Sequence, residues 1–127
     1  MRYLLDTHTV LWAFNNEEKL SKTAVRAILD PVNEKYVSIA SSWELAIKIN
    51  LGKLAFDGGI AHFFAAINES GFQLLPIKET HVKLLETLPL FHRDPFDRML
   101  VASAMAESMS LITADDNIRY YNVSTLW

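Results

Sequence analysis

The chain has 127 residues, of which 50% are hydrophobic, 11% aromatic and 21% charged, the size and composition of one globular domain. It contains no cysteine, which excludes a disulfide scaffold, thiolate chemistry and a zinc–cysteine site. Twelve Lys and Arg against fifteen Asp and Glu leave a net charge of −3, the reverse of the basic excess usual in nucleic-acid binders. No apolar run approaches the roughly 18 residues of a membrane span, and no signal peptide precedes the first strand-like run. The expectation is a cytoplasmic protein with no membrane partner.

Taken in chain order, Tyr3-Leu4-Leu5 reads as a short buried strand ending at Asp6. Ser21 caps a helix that uses Ala24, Val25, Ile28 and Leu29 and stops at Pro31. Tyr36 to Ile39 reads as a second strand, followed by a helix from Ser41 to about Leu51-Gly52. Gly58-Gly59 opens a helix through Ile60, Phe63, Phe64 and Ile67, ending near Gly71. Phe72 to Ile77 reads as a third strand, Glu79 to Leu88 as a helix, and Asp94-Pro95 starts a helix to about Met109. Ser110 to Thr113 reads as a fourth strand and Val123 to Thr125 as a last, short one. No repeat or linker interrupts this order, so residues 1–127 are expected to form one domain. Short apolar strands alternating with helices imply an α/β fold whose parallel sheet is covered on both faces. Ligands of such sheets bind beyond the carboxyl ends of the strands.

Acids stand at four places just after a strand or at the start of a helix. Asp6 follows the first strand, Glu44 lies near the start of the helix after the second, Asp94 and Asp97 open the helix with Pro95, and Asp115-Asp116 follow the fourth strand. Each has an ordinary explanation. Ser41 and Glu44 fit a capping box, Asp94 fits an N-cap, and Asp97 or Asp116 would favour a helix dipole by about 0.3–1 kcal/mol. Two resist that explanation. Asp97 shares the stripe of Leu100, Val101, Ala104 and Met105, and Glu44 that of Ile47 and Leu51, so both are expected to face inward. Buried unpaired charge is costly. Four carboxylates converging at about 6 Å repel by about 15 kcal/mol at an effective dielectric near 20, comparable to the stability of a domain. Such a cluster must protonate or bind a hard cation, and oxygen ligands favour Mg²⁺ or Mn²⁺ over Zn²⁺.

The segments Leu4-Leu5-Asp6-Thr7-His8, Ser41-Ser42-Trp43-Glu44-Leu45-Ala46-Ile47-Lys48, His92-Arg93-Asp94-Pro95-Phe96-Asp97-Arg98-Met99-Leu100-Val101-Ala102 and Leu111-Ile112-Thr113-Ala114-Asp115 resemble PIN-domain ribonucleases, above all the VapC-like toxins of toxin–antitoxin pairs. The resemblance runs in order over essentially the whole chain. It implies a three-layer α/β/α PIN-like domain with a short, mostly parallel central sheet. Carried over by motif, the family's acidic quartet falls on Asp6, Glu44, Asp97 and Asp115. Asp94 matches an extra acid of one subgroup, and Asp116 a variable place. The resemblance further implies metal-dependent endoribonuclease activity, a homodimer and a small antitoxin partner.

On this reading Asp6, Asp97 and Asp115 hold one or two Mg²⁺ or Mn²⁺ ions, with Glu44 a ligand or water-orienting base. Thr7, Ser41 and Thr113 are placed to hydrogen-bond those carboxylates, with helix capping the alternative. Among the nearby cations, Lys48, Arg93 and Arg98 are the first choices for RNA phosphates, ahead of His8, Lys53 and Arg119. His8 and His92 lack a positioned nucleophile and read as binding or structural residues. Two bound ions would add +4 to the formal −3, so the acidic balance does not argue against an RNA substrate. The rival enzyme, an aspartyl-nucleophile phosphatase, needs a second Asp two residues after Asp6, where His8 stands. The rival non-enzyme is a PIN-fold module acting through partners. Its surface would involve the apolar helix from Ile60 to Ile67 and the run Val10, Leu11, Trp12 and Phe14, which read equally well as core.

Overall fold

A computed structural model describes residues 1–127. Five strands, β1 (Arg2–Leu5), β2 (Glu34–Ser38), β3 (Gln73–Leu75), β4 (Ser110–Ile112) and β5 (Thr125–Leu126), form one sheet in the order β3-β2-β1-β4-β5. Every neighbouring pair is parallel, with Leu4 opposite Tyr36 on one side and Leu111 on the other. Six helices cover it: α1 (Thr7–Asn15), α2 (Lys22–Leu29), α3 (Ile39–Asn50), α4 (Gly59–Glu69), α5 (Glu79–Glu86) and α6 (Pro95–Glu107). This is the expected three-layer α/β/α arrangement, with a sheet that is wholly rather than mostly parallel.

Side chains alternate across a strand, so adjacent residues of β1 and β4 feed opposite faces. Leu5 and Ile112 join Val10, Ala24, Ala27, Leu45, Phe63 and Ile67 in one core, beneath α1, α2, α3 and α4. Leu4 and Leu111 join Leu100, Val101, Ala104 and Ile118 in the other, beneath α6. Each fully buried leucine contributes roughly 1.5–3 kcal/mol. For α4 the core explanation prevails over the interface explanation along one face: Phe63 and Ile67 are buried, while Ile60, Phe64, Ala65 and Ala66 are half-buried. Val10 is also buried. At the start of α4, Gly58 has φ 80°, and a Cβ there would lie 2.7 Å from the Cβ of His62, so only glycine fits.

Several boundaries differ from the sequence reading. α1 has no counterpart there, nor do the two 3₁₀ turns at Glu17–Lys19 and Ile118–Tyr120. β3 is shorter than Phe72 to Ile77, and β5 lies two residues later than Val123. The largest difference concerns α3. Its N-cap is Ser38, whose hydroxyl accepts from the Ala40 amide, so the helix starts at Ile39 and Ser41 lies inside it. The Ser41–Glu44 capping box therefore does not form. Ile47 and Leu51 are exposed, and the buried stripe of α3 is Ala40, Ser41, Glu44 and Leu45. Glu44 is buried as expected, but on a different stripe from the one that suggested it.

Candidate active site

Strand order reverses beside β1, whose neighbours are β2 and β4, and the loops after β1 and β4 open onto one crevice. Asp6 caps α1 at the floor of this crevice. One carboxylate oxygen accepts from the Thr9 amide at 2.8 Å, and the other accepts from the Thr113 hydroxyl just beyond β4. The Thr113 oxygen in turn accepts from the Asp115 amide at 3.0 Å. Asp6 and Asp115 are thereby locked to one another through a single threonine, which acts as the sequence reading anticipated. Thr7 and Ser41 do not. They are buried and bond each other at 2.9 Å, tying α1 to α3, and neither touches a carboxylate.

The third contribution comes from α6. Asp94 is its N-cap, accepting from the Phe96 and Asp97 amides at 2.8 and 3.0 Å, with Pro95 at the first helical position. The next acid, Asp97, faces the crevice. Burial, and then the charges of Asp94, Glu44 and Asp6, push the Asp97 carboxyl up to about 7, with His92 acting in the opposite direction. Those acids stand at the N-cap of α1, on α3 and at the N-cap of α6.

Glu44 enters from α3. One oxygen accepts from Lys48 Nζ at 2.7 Å, while the other, Oε1, is buried without a hydrogen-bond partner. The ion pair raises the Lys48 pKa, chiefly through that hydrogen bond, with smaller help from Asp94 and Asp97. Lys48 is thus engaged with an acid of the crevice. Arg98, another residue considered for phosphate contact, donates to the Pro89 and Leu88 carbonyls and to the Tyr121 hydroxyl, so its guanidinium pins the loop before α6. Arg93 remains exposed. Asp116 is exposed, with Arg119 Nη1 3.7 Å from its carboxylate.

His92 is the residue the sequence reading undervalued. Its Nε2 lies 2.8 Å from Asp115 and 3.2 Å from Asp97. One ligand atom from each of these three residues falls within 4.8 Å of the others, a spacing suited to a metal ion. The ring nitrogens have different duties, however. Nδ1 accepts from the Asp94 amide at 3.1 Å, which in the neutral ring leaves the proton on Nε2. His92 therefore presents an N–H to the acids and holds Asp115 and Asp97 together, while the lone pairs open to a cation belong to oxygens. A buried carboxylate oxygen without a partner at Glu44 and a carboxyl near neutrality at Asp97 are what a cation would relieve. The residues fit a hard divalent ion.

The family model described as PIN domain matches residues 3–123. The chain belongs to the PIN-domain family. PIN domains are nucleases, which supports a hydrolase acting on nucleic acids, and members generally use a divalent metal. Solved structures share the PIN fold at low identity. VapBC2 from Rickettsia felis bound to a DNA fragment from its promoter has a TM-score of 0.75 and 16% identity, covering 99% of this chain and 98% of that one. DNA-bound VapBC from Salmonella typhimurium gives 0.69 and 14%, over 99% and 97%. FitAcB from Neisseria gonorrhoeae gives 0.68 and 17%, over 98% and 96%. No curated protein sequence matches the chain.

Proposed function

We propose that this PIN domain is a Mg²⁺- or Mn²⁺-dependent endoribonuclease and the toxin of a VapC-like toxin–antitoxin pair. The observation that carries the nuclease reading is geometric: Thr113 bonds both Asp6 and the Asp115 amide, and Asp115, Asp97 and His92 each offer a ligand atom within 4.8 Å of the others. Asp6, Asp97 and Asp115, with Glu44, would hold one or two ions. Such an ion, when bound, makes its water a stronger acid and offsets charge on the phosphate oxygens. The chain's own residues prepare the place. Thr113 fixes the orientation of Asp6, Lys48 holds one oxygen of Glu44 and leaves the other free, and the N–H of His92 steadies Asp115. Asp97 must give up its proton to serve as a ligand.

Support for the toxin role comes from the fold neighbours, which are toxin–antitoxin complexes by description. A cognate antitoxin is accordingly proposed as a partner, and a homodimer as the assembly. An apolar groove of about 290 Å³ between α1, α2 and the start of β3, lined by Phe14, Leu20, Val25, Ile28 and Phe72, is a suitable face for the antitoxin.

Purified protein should cut RNA with Mn²⁺ or Mg²⁺ and stop in excess chelator. Asp6→Asn should abolish cutting while leaving the fold intact. Undiminished cleavage by Asp6→Asn refutes the metal site. Growth arrest on induction, with new RNA ends and relief by the product of a neighbouring small gene, tests the toxin role. Continued growth with no new ends refutes it.

A further inference from the structure

The strand-end crevice does not finish at the acids. His8, on the first turn of α1, and Trp12, one turn later, have ring centroids 5.8 Å apart, and Trp127 follows Trp12 at 5.9 Å. His8 is exposed and Trp12 is half-buried. These two rings wall two clefts at once. On one side a cleft of about 280 Å³ also contains Asp6, Ala114 and Asp115, so it opens on the proposed scissile position. On the other side a cleft of about 240 Å³ has Leu45 and Leu54 as apolar walls, with Asn15 and Lys48 at its polar edge.

The second cleft has the chemistry of a base site. It is smaller than the roughly 300–1,000 Å³ of pockets for drug-sized ligands, which suits a single planar ring. Apolar walls and an aromatic face favour stacking, and an amide is available to the ring's edge. Lys48, paired with Glu44, stands at the pocket's edge, and Lys19 Nζ sits 5.8 Å from the Trp12 ring, placing positive charge beside it. A base held in a duplex cannot enter such a pocket, because its faces are already covered.

We propose that the pocket walled by Trp12, His8, Leu45 and Leu54 takes one nucleobase of a single-stranded nucleic acid whose adjoining backbone reaches the Asp6–Asp115 cleft. This deepens the nuclease reading and rests on it for the identity of the ligand. It makes Trp12 and His8 specificity residues: the enzyme cuts beside a base that can be flipped into this pocket, and paired regions are poor ligands.

The test is fluorescence anisotropy with a short fluorescein-labelled oligouridylate, the matching oligodeoxythymidylate and a duplex, in Ca²⁺. Base–aromatic stacking corresponds to roughly 5- to 150-fold in affinity. Trp12→Ala should therefore weaken single-strand binding about tenfold or more, with Trp12→Phe staying within about threefold of the wild type. His8→Ala, at an exposed position where folding is not at risk, should lose about threefold or more by the same interaction. Replacing one nucleotide at a time by an abasic unit should reveal one sensitive position in the wild type, absent in Trp12→Ala. A loss on either strand supports the pocket, and the strand affected sets the sugar class. Equal affinities of wild type and both alanine variants, an abasic profile unchanged by Trp12→Ala, or no single-strand binding by the wild type overturns the proposal. Mn²⁺-dependent cleavage of the same RNA is scored separately. Trp12-dependent binding without cleavage removes the nuclease reading and leaves the pocket, whereas cleavage indifferent to Trp12 does the reverse.

Discussion

Asp97→Asn should make the metal-free protein more stable, and the gain should grow with pH. The carboxyl of Asp97 is raised from 3.8 to about 7 by burial and by three neighbouring acids, and its side chain is only 22% exposed. A shift of about three pH units corresponds to roughly 4 kcal/mol. Residual solvent contact screens part of it, leaving on the order of 2–3 kcal/mol. The sign follows from proton counting. Between pH 3.8 and about 7 the folded state keeps the proton that the unfolded state has lost, so stability falls as pH rises through that window and levels off above it. Asparagine has nearly the same shape and carries no charge at any pH. At pH 8 in EDTA, Asp97→Asn should therefore melt roughly 8–12 °C above wild type, at about 4 °C per kcal/mol for a domain of this size. The gap should shrink steadily towards pH 5. Differential scanning fluorimetry of both proteins across that range reads it directly, since other titrations cancel in the difference. Added Mn²⁺ should raise the wild-type melting temperature by mass action and do far less for Asp97→Asn. A gap that is constant with pH, or an Asp97→Asn protein less stable than wild type at pH 8 without metal, would refute the reasoning.

Three further outcomes follow from contacts around the site. Lys48→Gln removes the partner of one Glu44 oxygen while the other already has none, so it should cost about 1–3 kcal/mol without metal and enlarge the Mn²⁺-induced rise in melting temperature; an unchanged response would contradict this. The Tyr121 hydroxyl accepts from the Phe91 and His92 amides and from Arg98, so Tyr121→Phe should cost about 1–3 kcal/mol and weaken Mn²⁺ binding by loosening the loop that carries His92, as titration calorimetry would show. At the far end of α6, Glu107 bonds the fully buried His81 at 2.8 Å and lies 3.2 Å from Lys78. The His81 hydrogen bond first, and Lys78 after it, hold the Glu107 carboxyl below its usual 4.5. The stability it supplies is complete above pH 4.5 and lost as pH falls through the lower folded value. Urea melts of Glu107→Gln should show a deficit near pH 7 that narrows in acid, and a deficit independent of pH would count against it.

How much of this was legible in the sequence depended on distance along the chain. Asp6 at the end of an apolar run and Asp94 before Pro95 are local signals, and both residues cap helices as their neighbours dictate. Thr7-His8-Thr9-Val10 hid α1, because β-branched residues read as a poor helix and the cap that starts it is the acid itself. The sequence places Ser38 inside the second strand and starts the helix at Ser41, whereas α3 starts after Ser38. That start is set by the sheet, which ends β2 at Ser38 where its partner β3 ends at Leu75. His92 was beyond reach for a stronger reason. Its meaning depends on Asp115, 23 residues away on another strand end, and on a turn that directs Nδ1 at the Asp94 amide. The bonds of Arg98 were equally out of reach, since the Pro89 and Leu88 carbonyls become its partners only when the loop before α6 is folded.

The acids at the strand ends posed a choice between helix caps and a shared site, and the caps formed by Asp6 and Asp94 are compatible with both. Asp6 spends one lone pair of Oδ1 on the Thr9 amide and one of Oδ2 on Thr113, which fixes its rotamer and leaves further lone pairs for a cation. Asp94 is a cap whose charge, held three residues from Asp97 by that capping, helps keep the Asp97 carboxyl near neutrality. Capping thus supplies the orientation that a hard-ion site needs, because carboxylates locked by backbone amides do not have to be ordered when the ion arrives. The same reasoning explains the distribution of positive charge. Lys48 pairs with Glu44 alone, and the N–H of His92 reaches Asp115 and Asp97, so neither closes the crevice. Replacing either with a cation able to reach all four acids would stabilise the metal-free fold and fill the place proposed for the ion. The chain has kept the repulsion, and the proposed binding of a divalent cation would relieve it.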